Sequence, residues 1–322
     1  MTLTHVLATL LIAALVSEVV IRARLRFDSA GLDTPGHRSL HSQPTPHGGG
    51  LGIVVVGVGA GLFLGLPAVL LGGMVALALI SIIDDWRPLP FWVRLIVHLL
   101  AATCVVFLHS DRGVEVLIVA TLLIAWSTNA YNFMDGADGL AGSMAAIGFA
   151  AYAVGFWRAD ELEFALLCIA VVVASLMFLR FNWHPARIFM GDVGSVPLGF
   201  LAGALGWYGI IHGVWPVWFP VMVFSPFFFD ASLTLLRRVL RREKIWQAHR
   251  EHYYQRMVRM SGRHDLTCRR WIAVMVLAAL VALAGLALPV GGGWLLVVSW
   301  VALLGLVGRK VDRLWREHIG AT

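Results

Sequence analysis

Eleven long apolar runs constrain this chain more than any other feature. A hydrocarbon core needs roughly 20 apolar residues per helix, with a range of about 17–25. Runs near that length recur at about 3–21, 50–65, 67–83, 91–108, 114–131, 141–157, 162–180, 194–211, 215–236, 271–288 and 292–308. Backbone polar groups inside lipid must be satisfied within each segment, so this pattern specifies a helical bundle, all-α and polytopic in the membrane. The count of eleven instead of ten rests on a split at Gly65-Leu66-Pro67. No repeat period of 20–50 residues is present, which excludes a solenoid. No polar stretch is long enough for an appended soluble domain, so residues 1–322 read as one membrane-embedded domain. A composition of 59% hydrophobic and 14% charged residues excludes an ordinary soluble domain of this length. The first run lacks a basic leader region and a small-residue cleavage site, so it is expected as a retained span.

Charge sets the orientation. With the N-terminus outside and the C-terminus in the cytoplasm, 23 of the 25 Lys and Arg residues fall on the inner side. Only Arg112 and Arg158 lie outside, which satisfies the positive-inside rule. The net charge of +6 is thereby explained by topology and anionic headgroups, and no nucleic-acid partner is expected. Cys104, Cys168 and Cys268 are scattered, with neither a disulfide framework nor metal-ligand spacing.

The chemistry-bearing residues all fall in the expected inner loops. The densest stretch is Asn129 to Ser143, with two amides, two carboxylates and three glycines between apolar runs. Acids at a membrane edge are costly unless a metal, cation or proton offsets them. Asn129, Asn132 and Asp135, spaced by three, would share one helix face if the span continues that far, and Asp138 follows in the glycine-bounded turn. Oxygen ligands without a thiol cluster point to Mg²⁺, with Mn²⁺ as the alternative. Asp84 and Asp85 form an adjacent acid pair that makes sense as a receiver of a cation or proton. The first inner loop ends in Pro44-Thr45-Pro46-His47-Gly48-Gly49-Gly50, where amides opening a helix could crowd an anion. In the fourth loop, Asn182 and Arg187 could meet a base or phosphate, and Asp192 lies at the start of a helix. The fifth carries His249-Arg250-Glu251-His252, with a forked cation and two imidazoles suited to a diphosphate. The basic stretch before it is expected to extend the ninth span as a helix at the headgroups. Together the loops suit metal-assisted phosphoryl transfer between a soluble anionic donor and a lipid-borne acceptor. A secondary transporter is the rival class, but its acids would sit near the midplane.

These loops resemble those of the polyprenyl-phosphate N-acetylhexosamine-1-phosphate transferases. The resemblance covers nearly the whole chain. It is carried by PTPHGGG at Pro44–Gly50, DDWRPL at Asp84–Leu89, NAYNFMDGADGL at Asn129–Leu140, FNWHPARIFMGDVGS at Phe181–Ser195 and HREHYYQR at His249–Arg256. It implies transfer of a sugar 1-phosphate from a UDP-N-acetylhexosamine to undecaprenyl phosphate, with Mg²⁺, at the cytoplasmic face of the bacterial inner membrane. Carried onto matching positions, Asp84 and Asp85 would bind or deprotonate the lipid phosphate, and Asn132 and Asp192 would hold the metal. Asp135 and Asp138 would complete the catalytic site, with Asp135 a nucleophile if displacement is double. Asn129, Asn182, Arg187, His47, Gly49, His249, Arg250 and His252 would contact substrate. The peptidoglycan branch matches less well, because Arg87 stands where it has lysine and HREH is a sparser histidine cluster. PTPHGGG and HREHYYQR look most like the O-antigen branch. A homodimer remains open as the assembly.

Overall fold

The computed structural model describes residues 3–26, 31–33, 40, 43–107, 112–244, 247 and 249–320. Thirteen helices account for almost all of them: α1 Leu3–Arg26, α2 Leu51–Phe63, α3 Ala68–Trp86, α4 Phe91–Phe107, α5 Val114–Phe133, α6 Leu140–Arg158, α7 Leu162–Asn182, α8 Asp192–Ile211, α9 Trp218–Val223, α10 Ser225–Leu240, α11 Tyr253–Ser261, α12 His264–Gly285 and α13 Val290–Gly320. Eight are long and apolar enough to cross a membrane, and α2 and α4 are shorter apolar helices. The only strand pairing among the described residues is a two-residue antiparallel ladder, β1 Leu32–Asp33 with β2 Thr45–Pro46, in the first loop.

The helix limits follow from local chemistry. At the end of α2, Gly65 takes φ +68° and the Leu66 amide returns to the Gly61 carbonyl, closing the turn. Pro67 then precedes α3, where a missing N–H costs nothing, so the Gly65–Pro67 split does separate two helices. The ninth apolar run is broken instead of continuous. Pro226 cannot supply the amide that the Met222 carbonyl expects, and the Ser225 hydroxyl donates to that carbonyl at 2.6 Å. Phe224 is the joint between α9 and α10. The basic stretch that follows extends the helix through Arg237 and Arg238, as expected, but only to Leu240, and Arg242 then turns the chain with φ +58°. Two helices overrun their apolar stretches, α12 beginning at His264 and α13 continuing to Gly320.

α6 and α8 are the most enclosed spans, whereas α1 is mostly on the periphery. α8 lies directly against α5. A Cβ on Gly199 would come within 2.6 Å of the Ser127 carbonyl, and the Ser127 hydroxyl donates to the Gly199 carbonyl at 2.7 Å. At the far end Tyr152, Phe156, Phe219 and Trp215 form an aromatic cluster of stacked, tilted and edge-on rings. The alternation of helix direction brings the C-terminal ends of α3, α5, α7 and α10 together with the N-terminal ends of α2, α4, α6, α8 and α12. All five motif-bearing loops are therefore at one end of the bundle.

Candidate active site

Asp192 opens α8, and its position is set by Gly191. That residue takes φ +72°, where a side chain would be strained, and its carbonyl accepts the amides of Gly194 and Ser195. From the last turn of α5, Asn132 donates to the Ser195 hydroxyl at 3.2 Å, which ties it to the same helix start. Arg94, one turn into α4, lies 2.7 Å from Asp84 Oδ2 and 3.6 Å from Asp192 Oδ2. The two acids of the adjacent pair diverge. Asp84 also accepts the Leu89 amide at 2.6 Å, fixing the α3–α4 loop, while Asp85 faces His47 at 3.5 Å.

Asp135 does not share the helix face of Asn129 and Asn132, because α5 ends at Phe133 and the chain turns at Met134. It remains close enough to interact with Asp192. Burial, then the Asp192 charge, pushes the Asp135 carboxyl up to about 7, against a hydrogen bond from the Gly191 amide. Three carboxylates and one amide thus surround Arg94 and the head of α8. The donors are all oxygen, as a hard divalent cation requires.

A groove of about 670 Å³ leads away from this centre. At its polar end are Arg94, Asp192, Asn129, Asn132, His249 and His252. Its other end is built from apolar side chains that include Leu95, Leu99, Leu122 and Trp126, and Leu122 and Leu95 are exposed on the outside of the bundle. His249 is held low, at about 4, by burial and then by His252 and Arg238, so it is neutral at pH 7. Asn129 lines the groove while its amide donates to the Ala125 carbonyl at 2.7 Å.

Several expected site residues have other partners. Asp138 accepts His184 Nδ1 at 2.6 Å and the Ala186 amide at 3.2 Å, and lies 3.4 Å from His264 Nδ1. Burial alone would raise its pKa, but these partners hold it below the usual carboxylate range. Asp138, His184 and His264 place ligand atoms within 4.8 Å of one another, a spacing that would admit a metal ion. The existing contacts already satisfy them, with His264 Nε2 also at the Leu40 carbonyl. Through these contacts Asp138 ties together the loops before α6, after α7 and before α12, a structural role beside the catalytic one expected of it. Asn182 is likewise a tie. Its amide donates to the Ile188 carbonyl at 2.8 Å and its oxygen accepts the Gly139 amide at 2.9 Å, so it joins the loops before α6 and after α7. The glycine run packs instead of cradling an anion. The Gly49 and Gly50 amides donate to the Phe189 and Met190 carbonyls, and a Cβ on Gly50 would be 2.4 Å from Gly194 Cα. Arg187 is exposed, its guanidinium 5.5 Å from the Phe181 ring, and Arg250 is half-buried.

Two residues of this end escaped the sequence reading. Arg94 was counted only as a positive-inside charge, although Arg94 and His98 form an i,i+4 polar pair within an apolar run. Asp230 was passed over inside the ninth span. A lone acid there is a functional signal by default, and it proves to be fully buried.

Residues 67–210 match the model for glycosyl transferase family 4, a segment that holds Asp84, Asp85, Arg94, Asn132, Asp135 and Asp192. Over 284 residues the chain is 28% identical to a probable undecaprenyl-phosphate N-acetylglucosaminyl 1-phosphate transferase of Bacillus subtilis, covering 81% of this chain and 78% of that protein. Shorter stretches resemble phospho-N-acetylmuramoyl-pentapeptide-transferases. The identity is 46% over 89 residues for that of Anoxybacillus flavithermus, 28% of each chain. It is 47% over 92 residues for that of a Geobacillus species, 29% of this chain and 28% of that one. These likenesses support placing the chain with glycosyl transferase family 4.

Proposed function

We propose that this protein transfers N-acetylhexosamine 1-phosphate from a UDP-sugar to undecaprenyl phosphate, releasing UMP. The transfer takes place at the cytoplasmic face of a bacterial inner membrane and begins O-antigen or a related envelope glycan. The observation that carries this reading is the two-ended groove. Its polar end suits an anionic donor and a phosphate head, and its apolar end suits a prenyl tail. The long relative named for an undecaprenyl-phosphate substrate supports the same acceptor. The departure of Arg87 from the lysine of the peptidoglycan branch favours a donor without a peptide.

The oxygen donors fit Mg²⁺, which Asp192 and Asn132 would hold. When bound, the ion would offset charge on the diphosphate oxygens. The chain's own groups supply the rest. Arg94 presents a guanidinium to the acceptor's phosphate, with Asp84 fixing its reach. Asp85, which lacks the loop and arginine contacts of Asp84, is the carboxylate that positions the attacking phosphate and takes its proton where one remains. Direct in-line attack on the donor's sugar-linked phosphorus then requires no enzyme nucleophile, and Asp135, raised to about 7, lines the site beside Asp192. His249 and His252 face the donor.

The test is UMP release by the purified protein with undecaprenyl phosphate and a panel of UDP-N-acetylhexosamines, with and without Mg²⁺. Release that needs lipid, metal and one donor is expected. Substrate counterflow without UMP release would replace this reading with a transporter, and UMP exchange without lipid phosphate would replace single displacement with double.

A further inference from the structure

Asp230 is a fully buried carboxylate that the transfer chemistry above does not use. It lies on α10 and collects four donors. The Tyr253 amide and the Thr234 hydroxyl reach Oδ1 at 2.9 and 3.1 Å, and the Tyr254 amide reaches Oδ2 at 3.1 Å. The fourth is His252 Nδ1, 3.2 Å from Oδ1. Two backbone amides at the start of α11 explain a capping role. His252 is itself the cap of α11, its side chain turned to the Gln255 amide, and its Nδ1 is also against the Asp230 carboxylate.

That imidazole is held on every side. It stacks on Phe133 of α5, with centroids 6.2 Å apart, and on Tyr254 of α11 at 5.9 Å. His249 packs against it at 4.9 Å, and the His252 amide donates to Gln255 Oε1. His252 is almost fully buried yet lines the groove beside Asn132 and Asp192. A carboxylate at Nδ1 selects the tautomer with its proton on that nitrogen, because the carboxylate can only accept. The opposite nitrogen, Nε2, is then the ring's acceptor.

We infer that Asp230 is a positioning residue: it holds the proton on His252 Nδ1 and so presents Nε2 to the groove as a fixed acceptor for a substrate hydroxyl or amide N–H. The chemistry this suits is the donor sugar, whose hydroxyls and acetamido N–H are donors, and not the diphosphate, which only accepts. The inference about substrate rests on the transferase reading, whereas the tautomer does not.

The experiment uses the full chain labelled with ¹⁵N-histidine, with the His252 resonances assigned by their loss in His252→Gln. In the native protein Nδ1 should carry the proton and Nε2 should be bare. Asp230→Ala should abolish that preference and lower kcat roughly 10- to 100-fold, with KM for undecaprenyl phosphate within about 3-fold of native. Asp230→Glu should restore part of both. If Asp230→Ala does not fold, Asp230→Asn, which keeps one oxygen acceptor, provides the kinetic comparison, and the native spectrum still decides the tautomer. A bare Nδ1 in the native protein would overturn the inference. So would native kcat in a folded Asp230 variant that has lost the tautomer preference. The predicted tautomer in a protein with no UMP release would refute the transferase reading instead and leave the Asp230–His252 pair standing.

Discussion

Replacing Asp138 with asparagine separates a structural role from a catalytic one. The carboxylate is bonded by His184 at 2.6 Å and the Ala186 amide at 3.2 Å, and His264 is 3.4 Å away. Asparagine keeps one oxygen and turns an NH₂ toward groups that need an acceptor. Breaking a buried charged pair costs about 3–5 kcal/mol, and a hydrogen bond to a charged group contributes about 1.5–3 kcal/mol. Because one oxygen survives, the expected loss is about 2–4 kcal/mol. At about 2 °C per kcal/mol for a chain of this size, the melting temperature should fall by roughly 4–8 °C. Melting of the detergent-purified protein, followed by tryptophan fluorescence, measures this. Activity well below the melting range should stay within about 10-fold of native. The native protein adds a pH signature. The Asp138 carboxyl is held below its ordinary value, so its contribution is complete above the unfolded pKa and is lost as pH falls through the folded one. A variant that melts at the native temperature but transfers no sugar would refute the structural role and return Asp138 to the chemistry.

Three further outcomes follow from the same end of the bundle. Arg94→Ala should tighten Mg²⁺ while weakening acceptor use. Unit charges 3.6 Å apart interact by about 5 kcal/mol at an effective dielectric of 20. The solvent reach of both groups reduces this to about 1 kcal/mol, or roughly 5-fold in affinity. Calorimetric Mg²⁺ titration measures it, and weaker binding in the variant would contradict the placement of the ion at Asp192. Asp135, raised to about 7, keeps a proton on folding that the unfolded chain loses near pH 4. Without divalent ions, stability should therefore decline as pH rises from about 4 to 7 and level off above, and Asp135→Asn should flatten that slope. Gly50→Ala would drive a methyl to 2.4 Å from Gly194 Cα, so overpacking should cost about 1–3 kcal/mol in chemical unfolding. An unchanged midpoint would mean that the first loop does not pack on α8 as described.

The membrane helices were legible because apolar length is a local property, readable one run at a time. Local signals failed where a partner distant in sequence decides the outcome. Asp192 and Asn132 were found because polar residues stand out against apolar neighbours, and the structure brings them together. Asn182 and Asp138 stood out just as clearly and were given substrate or catalytic roles. Only the fold shows that they also bond Gly139, Ile188 and His184 and lie beside His264, in loops distant in sequence. The glycines of the first loop were read as anion-binding because their closeness to Gly194, more than 140 positions away, has no trace in the local sequence. Arg94 and Asp230 were overlooked for the opposite reason. Each is a single charge within an apolar run, and the run was read for its length.

The groove's apolar end meets the outside of the bundle through Leu95 and Leu122. Under the proposed function, a prenyl acceptor would reach Arg94 sideways, within its own leaflet, without its tail passing through water. For such an enzyme the governing concentration is two-dimensional. At fixed total acceptor, adding inert phospholipid should slow transfer, because the rate follows the acceptor's mole fraction in the bilayer. Diluting vesicles of fixed composition into more buffer should leave the rate per enzyme unchanged at saturating nucleotide sugar.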